Sequence, residues 1–360
     1  MAKRRVKTND LTAGMILADD VYSMTDQLLV PKNTIVSERI IAKFRFYSVP
    51  AVNIVEVTEG ANIESEEDAH LSELVKKSEE YKDFRKDFTV VTKELDEIMG
   101  KVIVGGLKQD DLQSIVRNEM TLFAKREGKY GLMDMFHNMR EMSDTVFTHS
   151  VNVSIVSIML GRWLKLSKEE LEILAVAGLL HDIGKTEIPD TILNKPYKLT
   201  DKEYETMKTH ALKGYTLLTN AKMDERICEV ALNHHERCDG SGYPSGIDGE
   251  KIPKLAKIVA IADVYDAMTA ERVYRDSICP FEVIAEFENN GLYLFEAPYI
   301  MTFLTNIANT YNHSAVRLSD GREGEVIMIN KFNLSRPVVK VGEEYIDLSK
   351  EKACKIQTII

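Results

Sequence analysis

Apolar side chains recur at helical spacing almost continuously from residue 109 to residue 313, and this run constrains the fold more than any other feature of the chain. Leu171, Leu174, Ala175, Gly178 and Leu179, for example, share one helical face just before His181. The class it implies is mainly α, with a helical central domain.

Both flanks change texture. Residues 6 to 57 are rich in β-branched side chains and broken by turn formers at Gly14, Asp19-Asp20 and Pro31-Lys32-Asn33, which predicts short strands and one helix near residues 37 to 47. The acidic stretch from Glu56 to Asp68 reads as a boundary. Beyond Val316, short alternating runs separated by Ser-Asp-Gly, Asn-Lys-Phe-Asn and Gly-Glu-Glu turns predict a second small β module. The expected division is a β-rich module over 1–57, helical packing segments over 58–125, the central domain over 126–313 and a C-terminal β module over 314–360. Within the second segment Tyr81, Phe84, Phe88, Val91, Leu95 and Ile98 alternate steps of three and four until Gly105-Gly106. That stripe leaves two readings equally open: a helix lying on its own domain, or a homodimer joined through helices near residues 70–100.

Charge and cysteine usage narrow the function. The formal net charge is -11 over 360 residues, which argues against a binder of nucleic-acid polymers. A small anionic substrate remains compatible, because bound cations reverse the field inside one pocket. Cys228, Cys238, Cys279 and Cys354 form neither a metal-binding pair nor a disulfide framework. With no signal-peptide pattern and no membrane span, the expected location is the cytoplasm.

Five of the eight histidines fall between residues 149 and 235, in company with acids. Imidazole and carboxylate suit Mn²⁺, Fe²⁺ or Zn²⁺, and a carboxylate can bridge two ions where an imidazole cannot. Taken alone, the His181-Asp182 dipeptide favours a surface or helix-end role. The His234-His235 pair, followed by a glycine-rich loop, is balanced between a ligand pair and a polar turn.

Taken together the motifs are more specific. His-Asp-Ile-Gly-Lys at 181–185 and His-His-Glu-x-x-Asp-Gly-Ser-Gly-Tyr-Pro at 234–244 resemble the signature of HD-GYP domains, a branch of the HD phosphohydrolase superfamily. The resemblance runs from about Met133 to His313 and includes His149-Ser-Val-Asn-Val, Thr209-His210 through Gly214, and Ala262-Asp263 through Ala270. It implies an HD-type helical core and a metal-dependent phosphodiesterase that hydrolyses cyclic di-GMP to linear pGpG and/or GMP. Carried over by position, it implies His149, His181, Asp182 and Asp263 around one metal, with Asp182 bridging to a second held by His210, His234 and His235. Lys185, Arg272 and Arg275 then face the substrate phosphates, and Gly242-Tyr243-Pro244 forms the substrate-side loop.

The chain departs from the family pattern in three places. Thr145 stands where some members carry a third-metal glutamate, so two divalent ions, iron or manganese, are expected. Ala211 replaces the usual proline after His210, and the segment from Gly291 to Pro298 is an altered form of a Phe-Asp-Pro element. Two alternatives stay open: a non-catalytic cyclic-dinucleotide-binding signalling protein, and an HD phosphohydrolase acting on another cyclic or linear nucleotide.

Overall fold

The computed structural model describes residues 75–124 except 77, residues 146–269 except 196, and residues 279–360, together with Met135, Met139 and most of residues 3–55. The chain divides into two compact units, Met1–Glu66 and Glu67–Ile360.

In the first unit β1 (Lys3–Lys7) pairs antiparallel with β4 (Ala51–Val55), and β2 (Val21–Tyr22) pairs antiparallel with β3 (Leu28–Val30). Alternation in β4 turns Val52 and Ile54 inward, where they join Leu17, Val36 and Phe44 in a separate small core. Most of the helix expected near residues 37–47, and all of the acidic boundary from Glu56 to Asp68, lie outside the described residues.

The second unit begins with α1 (Glu79–Val104). The Ser78 hydroxyl accepts from the Tyr81 amide, Glu79 and Glu80 occupy the electropositive first turn, and Gly105 closes the helix at φ 74°. Tyr81, Phe84, Phe88, Val91, Leu95 and Ile98 are all buried by the chain itself, as α1 packs on α2 (Gln109–Ala124) and α3 (Val146–Trp163).

Next come α4 (Lys168–Leu180), the short α5 (Asp190–Leu193), α6 (Asp201–Lys208), α7 (His210–Asn220), α8 (Glu225–Asn233) and α9 (Lys254–Thr269). A reciprocal capping box of Ser167 and Glu170 starts α4. The middle helices α3 and α9 are apolar around most of their circumference and are accordingly central, with α3 packed on both α4 and α9. The α3–α4 crossing is a backbone contact: a Cβ on Gly178 would stand 2.6 Å from the Ser154 Cα.

The helical part ends with α10 (Pro280–Glu286), a π-helical turn over Phe287–Gly291, α11 (Leu292–Leu294) and α12 (Ala297–Thr310). Five antiparallel strands follow: β5 (Ala315–Leu318), β6 (Glu323–Met328), β7 (Val338–Val341), β8 (Glu344–Asp347) and β9 (Ile356–Ile359), in the order β8-β7-β6-β5-β9. Val316, Leu318, Val326, Val339 and Ile356 bury into the helical core, so this sheet is fastened to the helices. Among the described residues no helix is long and apolar enough to cross a membrane.

Candidate metal centre

His149 projects from the first turns of α3, His181 caps the C-terminus of α4, and Asp182 opens the 3₁₀ turn Ile183–Glu187. His210 begins α7, His234 and His235 follow α8, and Asp263 lies in the middle of α9. Gly184 lets α7 dock directly on the 3₁₀ turn, since a Cβ there would meet the His210 carbonyl oxygen at 1.9 Å. That contact brings His210 beside Asp182.

Six of the seven side chains converge into two groups sharing one carboxylate: His149, His181 and Asp182, and Asp182, His210, His234 and His235. The two oxygens of Asp182 are divided between them. Oδ2 lies 3.3 Å from His181 Nε2 and 3.7 Å from His149 Nε2, whereas Oδ1 lies 3.3 Å from His210 Nε2 and 3.7 Å from His234 Nε2. Asp263 lies between the groups, with Oδ1 3.2 Å from His149 Nε2 and Oδ2 3.6 Å from His235 Nδ1.

The donor set fits a bound cation. His181 Nδ1 lies 2.8 Å from the Gly178 carbonyl, His210 Nδ1 2.7 Å from that of Met207, and His234 Nδ1 3.0 Å from that of Ala231. A carbonyl only accepts, so each Nδ1 carries the proton and each Nε2 turns a lone pair toward the centre. His210 Nε2 and His234 Nε2 then face each other at 3.4 Å, lone pair to lone pair. His181 Nε2 and Asp182 Oδ1, both buried, have no hydrogen-bond partner among the described residues. Buried acceptors pointed at one another are unfavourable until a cation lies among them.

Burial tunes the protonation states of the second group in the same direction, whereas at His149 the opposing burial is outweighed by Asp263 and Asp266, which push it up to about 10. In the second group burial pushes His210 down to about 4, lowers His234, and takes His235 well below the ordinary imidazole range. All three are therefore neutral, the form that ligates metal. Burial alone would raise the Asp182 carboxyl, but the Lys185 charge beside it holds it well below the usual carboxylate range. Asp263 is likewise lowered against its burial, chiefly by the His149 hydrogen bond.

Two carboxylates outside the expected set shape the site. Asp266, buried on α9 one turn after Asp263, accepts from His149 Nδ1 at 2.8 Å and thereby aims Nε2 inward. The i, i+3 spacing from Asp263 is the sequence signal for it. Glu236, also buried, accepts from the backbone amides of Ser245 (2.7 Å), Gly246 (3.1 Å) and Ile247 (3.2 Å), and so ties down the Gly242-Tyr243-Pro244 loop. The Tyr243 ring lies 4.6 Å from that of His235, placing the loop against the second group.

Lys185 Nζ is hydrogen-bonded to Asp182 Oδ2, at the rim of the cluster. Arg272, Arg275 and Thr145 lie outside the described residues, as do His70 and His137. His313 pairs instead with Glu325 on the C-terminal sheet.

Residues 132–293 match the model of the HD domain family. The cyclic di-GMP phosphodiesterase PA4108 of Pseudomonas aeruginosa is 38% identical over 205 residues, covering 56% of this chain and 49% of the relative. A 3'3'-cGAMP-specific phosphodiesterase 1 of Vibrio cholerae is 42% identical over 142 residues, covering 39% of this chain and 33% of the relative. The chain thus spans half or less of the length of these curated relatives. Among solved structures, the HDG"Y"P protein Bd1817 from Bdellovibrio bacteriovorus shares the fold, with a TM-score of 0.52 at 14% identity over 84% of this chain and 98% of the other. Residues 132–293 thus carry an HD domain, and the motifs within them resemble the signature of the HD-GYP branch.

Proposed function

We propose that the chain is a metal-dependent phosphodiesterase that hydrolyses a cyclic dinucleotide, cyclic di-GMP or a close analogue, to pGpG and/or GMP. The observation that carries this reading is the division of the Asp182 carboxylate between two groups of inward-facing imidazole lone pairs. Relatives whose names specify cyclic di-GMP or 3'3'-cGAMP as substrate support the substrate class. In the proposal His149, His181, Asp182 and Asp263 hold one ion and Asp182, His210, His234 and His235 a second, each iron or manganese. When bound, such ions supply a water acidified toward neutrality and positive charge against the phosphodiester.

The chain's own residues do the rest. Asp182 fixes the spacing of the two groups, and Asp266 holds the His149 tautomer. Lys185, on the next turn after Asp182, donates to a nonbridging phosphate oxygen, and Arg272 and Arg275 offset charge on the substrate phosphates. Gly242-Tyr243-Pro244 forms the wall over the second group. Hydrolysis adds the water oxygen to phosphorus and breaks the bond to the ribose 3' oxygen, which takes up a proton. Residues 126–313 form the catalytic part in this proposal, with regulatory modules at 1–57 and 314–360. A homodimer through residues 70–100 would use faces of α1 other than its buried stripe.

The test is product analysis of protein loaded with Mn²⁺ or Fe²⁺ against a panel of cyclic dinucleotides, with anomalous scattering to count the ions. Metal-dependent release of a linear product from cyclic di-GMP is expected. Tight binding of the nucleotide without turnover under every metal condition would establish the non-catalytic binder instead, and turnover only of other nucleotides would overturn the substrate assignment.

A further inference from the structure

A cavity of about 380 Å³ opens beside the metal centre, within the size range of small-ligand clefts, roughly 300–1,000 Å³. Two of its walls start next to the proposed ligands: Arg237 is two residues beyond His235, and Val264 adjoins Asp263. Val264, Met268, Phe287 and Phe295 make it largely apolar, and Glu282 and Glu286 stand at the rim. The wall facing α9 includes the π-helical turn Phe287–Gly291, a distortion of the kind that recurs at functional sites. It immediately precedes the segment that departs from the family pattern.

Arg237 is the informative residue. Its guanidinium carbon lies 4.9 Å from the Phe295 ring centroid, and its one hydrogen bond within the described residues runs from Nη1 to the Glu236 carbonyl at 3.3 Å. Burial lowers its pKa, but a guanidinium remains charged. A largely buried cation with most of its five N–H donors uncommitted, stacked on an aromatic ring inside a cleft, is arranged for a planar acceptor-bearing ligand. Of the two carboxylates that line the cavity, Glu282 is engaged by Lys355 at 3.1 Å, while Glu286 accepts, among the described residues, from Asn290 through Oε1 alone.

We propose that this cavity is a nucleobase subsite selecting guanine over adenine in one half of the dinucleotide, a proposal that rests on the phosphodiesterase reading above. Guanine presents O6 and N7 as adjacent acceptors, the pattern that arginine reads, while its N1–H and amino group are donors for a carboxylate. Adenine reverses both: its amino group meets the guanidinium and its N1 lone pair meets Glu286. Rejection of adenine then comes from repulsive contacts as well as from lost ones. Phe287, Phe295 and Met268 supply the apolar surface on which the purine lies.

The experiment is titration calorimetry with GMP and AMP, which carry the same phosphate and differ only in the base, alongside turnover of cyclic di-GMP and cyclic di-AMP. The wild-type protein should bind GMP about tenfold or more tightly than AMP, the discrimination worth one good bidentate base contact. Arg237→Met, which keeps the apolar stem, should remove most of that difference. Glu286→Gln, at an exposed position that tolerates change, should narrow it by improving AMP binding. Equal affinities in the wild type, or an unchanged ratio in a folded Glu286→Gln and Arg237→Met pair, would overturn the subsite. Turnover of cyclic dinucleotides without base discrimination would sink the subsite and leave the phosphodiesterase reading standing. Discrimination between GMP and AMP without any turnover would do the reverse.

Discussion

Asp266 shows how much one side chain outside the ligand set controls. Its Oδ2 accepts from His149 Nδ1, which commits that nitrogen to a proton and turns Nε2 toward the proposed metal site. Asp266→Asn keeps the volume but offers an amide NH₂ to the same nitrogen, favouring the opposite tautomer. Metal affinity measured by equilibrium dialysis should fall about 10–100-fold, the usual effect of removing such a partner, with little change in circular dichroism. Unaltered affinity would remove Asp266 from the site. For the shared carboxylate the expectation is more severe: purified Asp182→Ala or His181→Ala protein should lose most bound metal together with activity. Full occupancy in a folded Asp182→Ala protein would contradict the bridging role.

At the scale of elements, the packing of α2, α3 and α4 carries two costs. Glu119 on α2 is fully buried, and among the described residues neither carboxylate oxygen closes a well-aligned hydrogen bond, although Ser154 on α3 is near enough to favour its charged form slightly. Burial prevails and raises the carboxyl to about 8. The folded chain therefore holds a proton that the unfolded chain releases above about 4.5, so this group's contribution to stability is lost as pH rises through that window. Glu119→Gln should flatten that loss. Urea unfolding at pH 5.5 and 7.5 should show the wild type dropping more than the variant by on the order of 2 kcal/mol, and parallel curves would refute it. The second cost is the α3–α4 crossing. Gly178→Ala would drive a methyl group into the Ser154 backbone, at 2.6 Å from its Cα. Such overpacking should cost about 1–3 kcal/mol and spread His149 from His181, so metal stoichiometry should fall along with the urea midpoint.

The whole molecule divides at Glu66 and Glu67, and each unit has its own apolar core. The C-terminal sheet belongs to the second unit, where Glu288 of the π-helical turn accepts from the amides of Leu334 and Ser335. Differential scanning calorimetry should therefore resolve two transitions. Added Mn²⁺ should move only the one belonging to Glu67–Ile360, with stabilisation of about 3 kcal/mol at a hundredfold excess over the dissociation constant. Chelator should reverse the shift, and movement of both transitions together would show that the units are coupled.

The sequence by itself determined the class, the helices and the residue types of the site. Period and capping are local properties: Ser167 with Glu170 starts α4, and the stripe from Tyr81 to Ile98 is read directly from spacing. His181-Asp182 and His234-His235 were ambiguous alone and stood out only through the resemblance of the longer motifs around them to the HD-GYP signature. Which faces meet is not local. The stripe was compatible with a partner chain until packing buried it against α2 and α3. Only the tertiary structure divided Asp182 between two groups, set Asp266 behind His149 and turned Arg237 toward Phe295, because those relations join elements up to 117 residues apart along the chain. Side-chain identity specifies what a residue can bind, whereas the burial that fixes its protonation and leaves its lone pairs unmatched arises only when distant helices close around it.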